Sequence, residues 1–149
     1  MKNTPSCVLT FKKHDIDKIE YIKNKKFNKE GFKDLDISIG TNIIYPKNID
    51  DRSFLVKLKV EIGKNAEINN YPFYLLTEIT GYFELDKSEI NNIEYFAKVN
   101  ATSILFPYVR ALITTITANA NIPPVVLPPM NIAAMMENNN NNNNKNIRE

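Results

Sequence analysis

The chain has 149 residues, 43% of them hydrophobic and 24% charged, with a formal charge of +2. These values fit one soluble domain with a core of its own. The single cysteine (Cys7) and single histidine (His14) exclude an intrachain disulfide and an intrachain structural zinc site, and so weak a positive excess does not argue for nucleic-acid binding.

The excess is concentrated at the start. Residues 1–33 carry nine lysines against Asp15, Asp17, Glu20 and Glu30, with Lys23, Lys25 and Lys26 tightly clustered. Such a cluster reads first as a solvated edge or loop and second as a phosphate- or acid-binding patch. Val8 to Phe11 and then Ile16 to Ile22 read as a strand with weak alternation. Leu35, Ile37 and Ile39 alternate with Asp36 and Ser38, and Val56 to Ile62 alternates strictly, the period of a half-buried strand. Lys47 to Arg52 is a polar loop between them. Gly63-Lys64-Asn65 and Asn69-Asn70 bracket a turn, so the strands on either side should pair antiparallel. The next strand runs from Phe73 to Leu85, with Phe73, Leu75, Thr77, Ile79, Gly81, Phe83 and Leu85 on one face. Tyr74, Leu76, Glu78, Thr80, Tyr82 and Glu84 are on the other, so apolar bodies stand on both sides.

The second half reads as helices. Ser88 is a candidate N-cap, followed by Ile90, Ile93 and Phe96/Ala97 at helical spacing. The longest helix is expected from Thr102 or Ser103 to Asn119, with Leu105, Val109, Leu112, Ile113 and Ile116 on one stripe. A second face carries Ile104, Tyr108, Ala111 and Thr115, which suggests more than one neighbour. Pro107 is expected near the first turn, where its missing N–H costs little, and Asn119 or Asn121 closes the helix. Two Pro-Pro pairs then forbid helix and central strand through Ile122 to Met130, leaving an apolar extended segment on the surface. Asn131 is a candidate N-cap for a short helix over Ile132 to Glu137. The asparagine run that follows places a domain at 1–137 and a disordered tail at 138–149.

Chemistry is scarce. No glycine-rich loop cradles a phosphate and no serine stands in a nucleophile elbow. The pairs Asp15/Asp17 and Asp50/Asp51 read as solvated carboxylates, and Cys7 with His14 makes no rigid nucleophile–base site. The chain is therefore expected not to be an enzyme and to need neither cofactor nor metal. No secretory segment is visible and no stretch is expected to span a bilayer, so a cytoplasmic location without membrane insertion follows. What stands out is apolar surface that a monomer does not obviously cover, with Met130, Met135 and Met136 adding the adaptable side chains of a promiscuous site.

Asn100-Ala101-Thr102-Ser103-Ile104-Leu105-Phe106-Pro107-Tyr108-Val109-Arg110 resembles the signature at the start of the long helix in the SecB export-chaperone family. Ile122-Pro123-Pro124-Val125-Val126-Leu127-Pro128-Pro129-Met130-Asn131-Ile132 looks like that family's crossover segment, and Gly81-Tyr82-Phe83 like the end of its fourth strand. The resemblance implies an α+β fold: a four-stranded antiparallel sheet, a long helix on one face, and a shorter C-terminal helix after the crossover. It implies a homotetramer, a dimer of dimers, that binds unfolded polypeptides or preproteins in apolar grooves without ATP, for export. Related members protect the antitoxin of a toxin–antitoxin pair instead. Tyr74, Leu76, Tyr82, Leu127, Met130, Ile132, Met135 and Met136 are then the expected client-binding residues, with the sheet tyrosines and Leu76 as floor and the others as wall. Tyr108, Ala111 and Thr115 are the expected oligomer interface. The departures are Val126 in place of the usual asparagine, Ile122 and Ile132 in place of aromatics, and Leu76 where an ungapped alignment expects a strand glutamate. The last of these, with a mildly basic charge where the family's export chaperones are acidic, points away from SecA as a partner.

Overall fold

A computed structural model describes residues 7–48, 51–129, 131, 134 and 135. Four strands form one antiparallel sheet: β1 (Leu9–Lys23), β2 (Ile37–Ile44), β3 (Ser53–Ile62) and β4 (Phe73–Leu85), in the order β1-β4-β3-β2. The turn between β3 and β4 holds a one-turn helix, α1 (Ala66–Asn69), flanked by Asn65 and Asn70 in the left-handed conformation. The weak alternation of β1 has a structural cause. Its register against β4 shifts between Phe11 and Lys13 and again between Ile16 and Lys18, so each extra residue moves the next side chains to the other face.

The alternation decides which face is buried. Phe54, Val56, Leu58, Val60 and Ile62 of β3 meet Phe73, Leu75, Ile79, Phe83 and Leu85 of β4 in a single core cluster with the helix residues Leu105, Phe106, Val109 and Ile113. Gly81 belongs to this face. A Cβ there would lie 2.6 Å from a ring carbon of Phe83 and 3.1 Å from a methyl of Leu105, so the glycine lets the long helix seat directly on β4.

The helical layer begins earlier than its sequence signals indicate. Asp86, not Ser88, is the N-cap: its carboxylate accepts from the Ser88 backbone N–H at 2.9 Å and from the Ser88 hydroxyl at 2.8 Å. A 3-10 stretch (Lys87–Asn92) leads into α2 (Ile93–Tyr95), a π-helical stretch (Phe96–Ala101) and α3 (Thr102–Asn119). Pro107 therefore lies inside a continuous helical run and not in its first turn. The π turns sit where Ala97 and Ala101 are fully buried, and the Thr102 hydroxyl donates to the Ala97 carbonyl at 3.2 Å. The run Lys87–Asn119 is long and apolar enough to cross a membrane by length and composition alone, contrary to the sequence expectation. Its apolar stripe is nevertheless spent on the sheet. Asn121, at φ 58°, ends the helix in the left-handed conformation.

After Asn121 the chain runs extended through the two proline pairs. Ile122, Val125 and Leu127 turn inward and Leu127 is 1% exposed, whereas Val126 is 67% exposed. Asn131 then caps a helical turn: its side chain accepts from the Ala134 N–H at 3.1 Å, and its carbonyl accepts from Met135. The asparagine-rich tail lies outside the described residues.

Leu127→Asp would force a carboxylate into the core and should cost about 3 kcal/mol or more, while Val126→Asp beside it should stay within about 0.5 kcal/mol. Denaturant unfolding of the two variants reads the difference. Equal effects would show that the crossover does not hold this pose.

Candidate functional site

The sheet has two unlike faces. Opposite the helices stand Tyr74, Leu76, Glu78, Thr80, Tyr82 and Glu84 of β4, flanked by Leu55, Lys57, Lys59 and Glu61 of β3 and by the lysines and acids of β1. This open face is a lattice of paired charges. Glu84 bonds Lys12 at 2.9 Å and Arg52 at 3.2 Å, and Lys13 pairs with Asp15, Lys18 with Glu20 and Lys59 with Glu61 at 3.5–3.6 Å. The Thr80 hydroxyl donates to Asp17. Tyr82 lies under the Lys13 ammonium, 4.5 Å from its ring centre, and a hydrogen bond to Asp15 raises its phenol pKa.

Tyr74 donates its hydroxyl to Glu61 at 2.9 Å. Burial first, and then the Glu61 carboxylate, push the Tyr74 phenol up to about 12, while the same hydrogen bond holds the Glu61 carboxyl below its usual range. Leu76, between cross-strand partners Glu20 and Glu61, is only 5% exposed. These three residues therefore do not make an apolar floor. They also stand on the face away from Leu127 and Met135, so a single chain does not bring the expected floor and wall into one groove. The sequence pattern contained both apolar faces of β4 but no signal for which one carried the helices.

The helical side offers a different arrangement. On one flank of α3 the Tyr108 ring packs against edge strand β1, 5.3 Å from Phe11 and 4.6 Å from His14 between ring centres. On the other flank Thr114 and Thr117 hold the crossover. The Thr114 hydroxyl donates to the Val125 carbonyl at 2.9 Å, and the Thr117 oxygen accepts the Val125 N–H at 2.8 Å. Because α3 lies over β3 and β4, the crossover falls toward the β3–β2 half of the sheet. Ile37, Ile39 and Ile43 of β2 pack against the core cluster, as do Ile122, Val125 and Met135.

One correction to the expected wall follows. Leu127 is a core residue and not a groove residue, because the crossover must bury one apolar side chain to stay on the sheet. Met130, Ile132 and Met136 lie outside the described residues. Met135 remains, half-buried beside the core. The sequence reading missed β2 as a border. Ile37 to Ile44 is an outer strand with no charged residue and no proline, the features that usually protect an edge. That signal was present in the sequence, but it is meaningful only once the strand is known to be at the edge.

Tyr108, Ala111 and Thr115 share one exposed stripe of α3 with Ile104, and the stripe carries no charge. Beside it, Ile16 and Ile19 of β1 are 50% and 46% exposed on the same side of the sheet.

Residues 19–143 match the family described as preprotein translocase subunit SecB. The chain is 43% identical over 133 residues to the uncharacterized protein MJ0357 of Methanocaldococcus jannaschii, covering 89% of this chain and 85% of that one. It is 27% identical over 110 residues to the protein-export protein SecB of Neisseria meningitidis, covering 72% and 71%. In three dimensions it resembles the Mycobacterium tuberculosis Rv1957 SecB-like chaperone, solved in complex with a ChAD peptide from the Rv1956 HigA1 antitoxin. The TM-score is 0.61 at 13% identity, over 82% of this chain and 87% of that one.

The Tyr74–Glu61 bond gives the open face a pH signature. A carboxyl lowered on folding stabilises above its unfolded pKa and loses that contribution as pH falls through the lowered value. A phenol raised to about 12 stabilises below its unfolded pKa and loses that contribution as pH climbs toward 12. Tyr74→Phe should therefore lower the melting temperature at neutral pH, with the difference shrinking in acid. NMR titration should show the Glu61 carboxyl moving up toward its ordinary value. A Glu61 titration unchanged in the variant would refute the bond.

Proposed function

Because the chain belongs to the SecB family, we propose that it is an ATP-independent chaperone, working in the cytoplasm, that holds unfolded polypeptides for export and catalyses no reaction. The observation that carries this reading is the pairing of an uncharged edge strand with the Pro-rich crossover on the helical side. The half-buried isoleucines of β2 offer apolar surface at its edge, and the edge backbone offers main-chain hydrogen bonds to an extended segment. The crossover and Met135 border the opposite side. Burial at roughly 25 cal/mol per Å² rewards any extended apolar chain with little regard to its sequence. A folded protein offers no such chain.

Assembly is part of the proposal. The uncharged stripe Ile104, Tyr108, Ala111 and Thr115, with the exposed isoleucines of β1, supports a homotetramer built as a dimer of dimers. Long grooves on such an assembly bind one client at several points and gain avidity.

A second reading is a chaperone dedicated to one antitoxin. It is favoured by the likeness to the Rv1957 protein, whose structure contains an antitoxin peptide. SecA as a partner finds less support, because the carboxylates of the open face are largely paired with lysines of this same chain.

The protein should suppress aggregation of a denatured client in the absence of ATP and leave the same client unbound once folded. Met135→Asp should raise the concentration needed for half-suppression by about tenfold, since it sets a charge against apolar surface. Undiminished suppression by this variant would remove Met135 from the groove, and absence of suppression by the wild type would refute the chaperone reading. Tyr108→Asp should lower the mass seen by light scattering, because a charge without a partner is not tolerated in an apolar contact. A wild type that is monomeric at micromolar concentration would contradict the tetramer.

A further inference from the structure

The basic cluster near the start of the chain has a definite place in the fold. Lys23 ends β1, and Lys25, Lys26, Lys29 and Lys33 follow in the loop to β2. That loop lies against the β3–β4 turn, which adds Lys64. These six lysines stand with Glu30, Asp34, Asp36 and Glu67, so one tip of the molecule accounts for the whole +2 of the chain. The first four lysines fall before any acid. Elsewhere on the open face charges alternate: Lys12 and Arg52 share Glu84, Lys13 pairs with Asp15 and Lys18 with Glu20. Hydrogen bonds fasten the two loops into one platform. Asn24 is 5% exposed, and its amide donates to the carbonyls of Ala66 at 3.1 Å and Tyr71 at 2.9 Å. Asn28 and Asn70 exchange two hydrogen bonds of 2.8 Å. The platform holds Ile68 of α1 in solvent at 86% exposure, more than any other large apolar side chain among the described residues. Ile22, 52% exposed, lines a depression of about 520 Å³ together with Ile68, Lys23 and Lys64. Ile22 pairs with Tyr74 across the strands, so the depression opens on the face away from the helices. Two acids border it as well, and both are engaged: Glu61 by Tyr74 and Lys59, Glu67 by Lys26 at 3.6 Å.

We propose that this tip docks on the surface of an anionic bilayer, with Ile68 and Ile22 entering the headgroup boundary and the surrounding lysines meeting the lipid charge. No helix enters the bilayer. Exposed aliphatic side chains within a ring of long, flexible cations are what an acidic lipid surface rewards. Apolar burial and electrostatic attraction act together there, and either alone gives only marginal binding. Lysine stems also reach past the apolar tip to the headgroups. Single-stranded nucleic acid would take the lysines too, but it needs free aromatic faces on which bases stack. The rings at this tip are engaged elsewhere: Phe27 packs edge-on against Phe32 at 5.7 Å, and Tyr74 is held by Glu61. The site stands on the open face, so docking leaves the helical side to a client and does not depend on the chaperone reading.

The test is flotation of the full-length protein with vesicles of phosphatidylcholine alone, or of equal parts phosphatidylcholine and phosphatidylglycerol. The wild type should bind the mixed vesicles at low salt, come off as salt rises, and ignore pure phosphatidylcholine. Ile68→Ser should weaken binding about fivefold. Lys25→Gln combined with Lys29→Gln should weaken it about tenfold or more, and Lys25→Arg with Lys29→Arg should retain it. All three side chains are exposed and the asparagine bonds of the platform are untouched, so the melting temperature should not move. No binding to the mixed vesicles, or binding that survives the glutamine pair, would overturn the site. Binding that falls with the lysines but ignores Ile68→Ser would overturn it too, because adsorption by charge alone needs no apolar tip. Capture of a single-stranded RNA that is lost in the glutamine pair, without vesicle binding, would assign the tip to nucleic acid and overturn the lipid site. Suppression of client aggregation by the same variants should equal that of the wild type, so this site and the chaperone reading fail separately.

Discussion

Two threonine hydroxyls on α3 determine where the crossover lies. A segment with two proline pairs lacks the N–H groups for helix or sheet, so its remaining backbone groups must be met by side chains. Thr114 and Thr117 do this for both polar groups of Val125. Thr117 is itself fully buried and donates to the carbonyls of Ile113 and Thr114, so its hydroxyl is satisfied as donor and acceptor at once. Leu127 then plugs into the core two residues later. With these points fixed, the prolines and Val126 remain outside, and a border is set beside the outer strand.

The same logic separates the two faces of the sheet. The open face meets water with matched charges and tyrosines held by carboxylates, and its exposed isoleucines, Ile22 and Ile44, stand apart on the two edge strands. The helical face keeps its apolar side chains, and what the single chain leaves uncovered lies at its borders: Ile16 and Ile19 at β1, the stripe of α3, and the uncharged strand β2. Edges without charges are usually a hazard. Under the proposed chaperone reading such edges are the working surface, and the proposed assembly through α3 and β1 hides the remainder.

Much of the fold was legible. Strict alternation located β3, an apolar run bounded by turn signals located β4, and the apolar stripe located α3 to within a residue. The bulges of β1 were legible only as weakened alternation, since the side chains that create the register shifts carry no signature of their own. The start of the helical run was hidden because Asp86 caps through Ser88, and the 3-10 and π turns break the helical period. The site was read less well. Periodicity showed two apolar faces on β4 without saying which lay beneath the helices, and so joined Tyr74, Leu76 and Tyr82 to Leu127 across the thickness of the sheet. Burial of Leu127 depends on the hydroxyls of Thr114 and Thr117, a contact that no local pattern announces.

The central claim is that clients lie on the helical side, between the crossover and β2, and not on the open face. Site-specific photo-crosslinking tests it most directly, with a photoreactive phenylalanine derivative placed in turn at Met135 and at Tyr82 and an unfolded client present. The account predicts client adducts from position 135 and none above background from position 82. Adducts from position 82 with none from position 135 would contradict it.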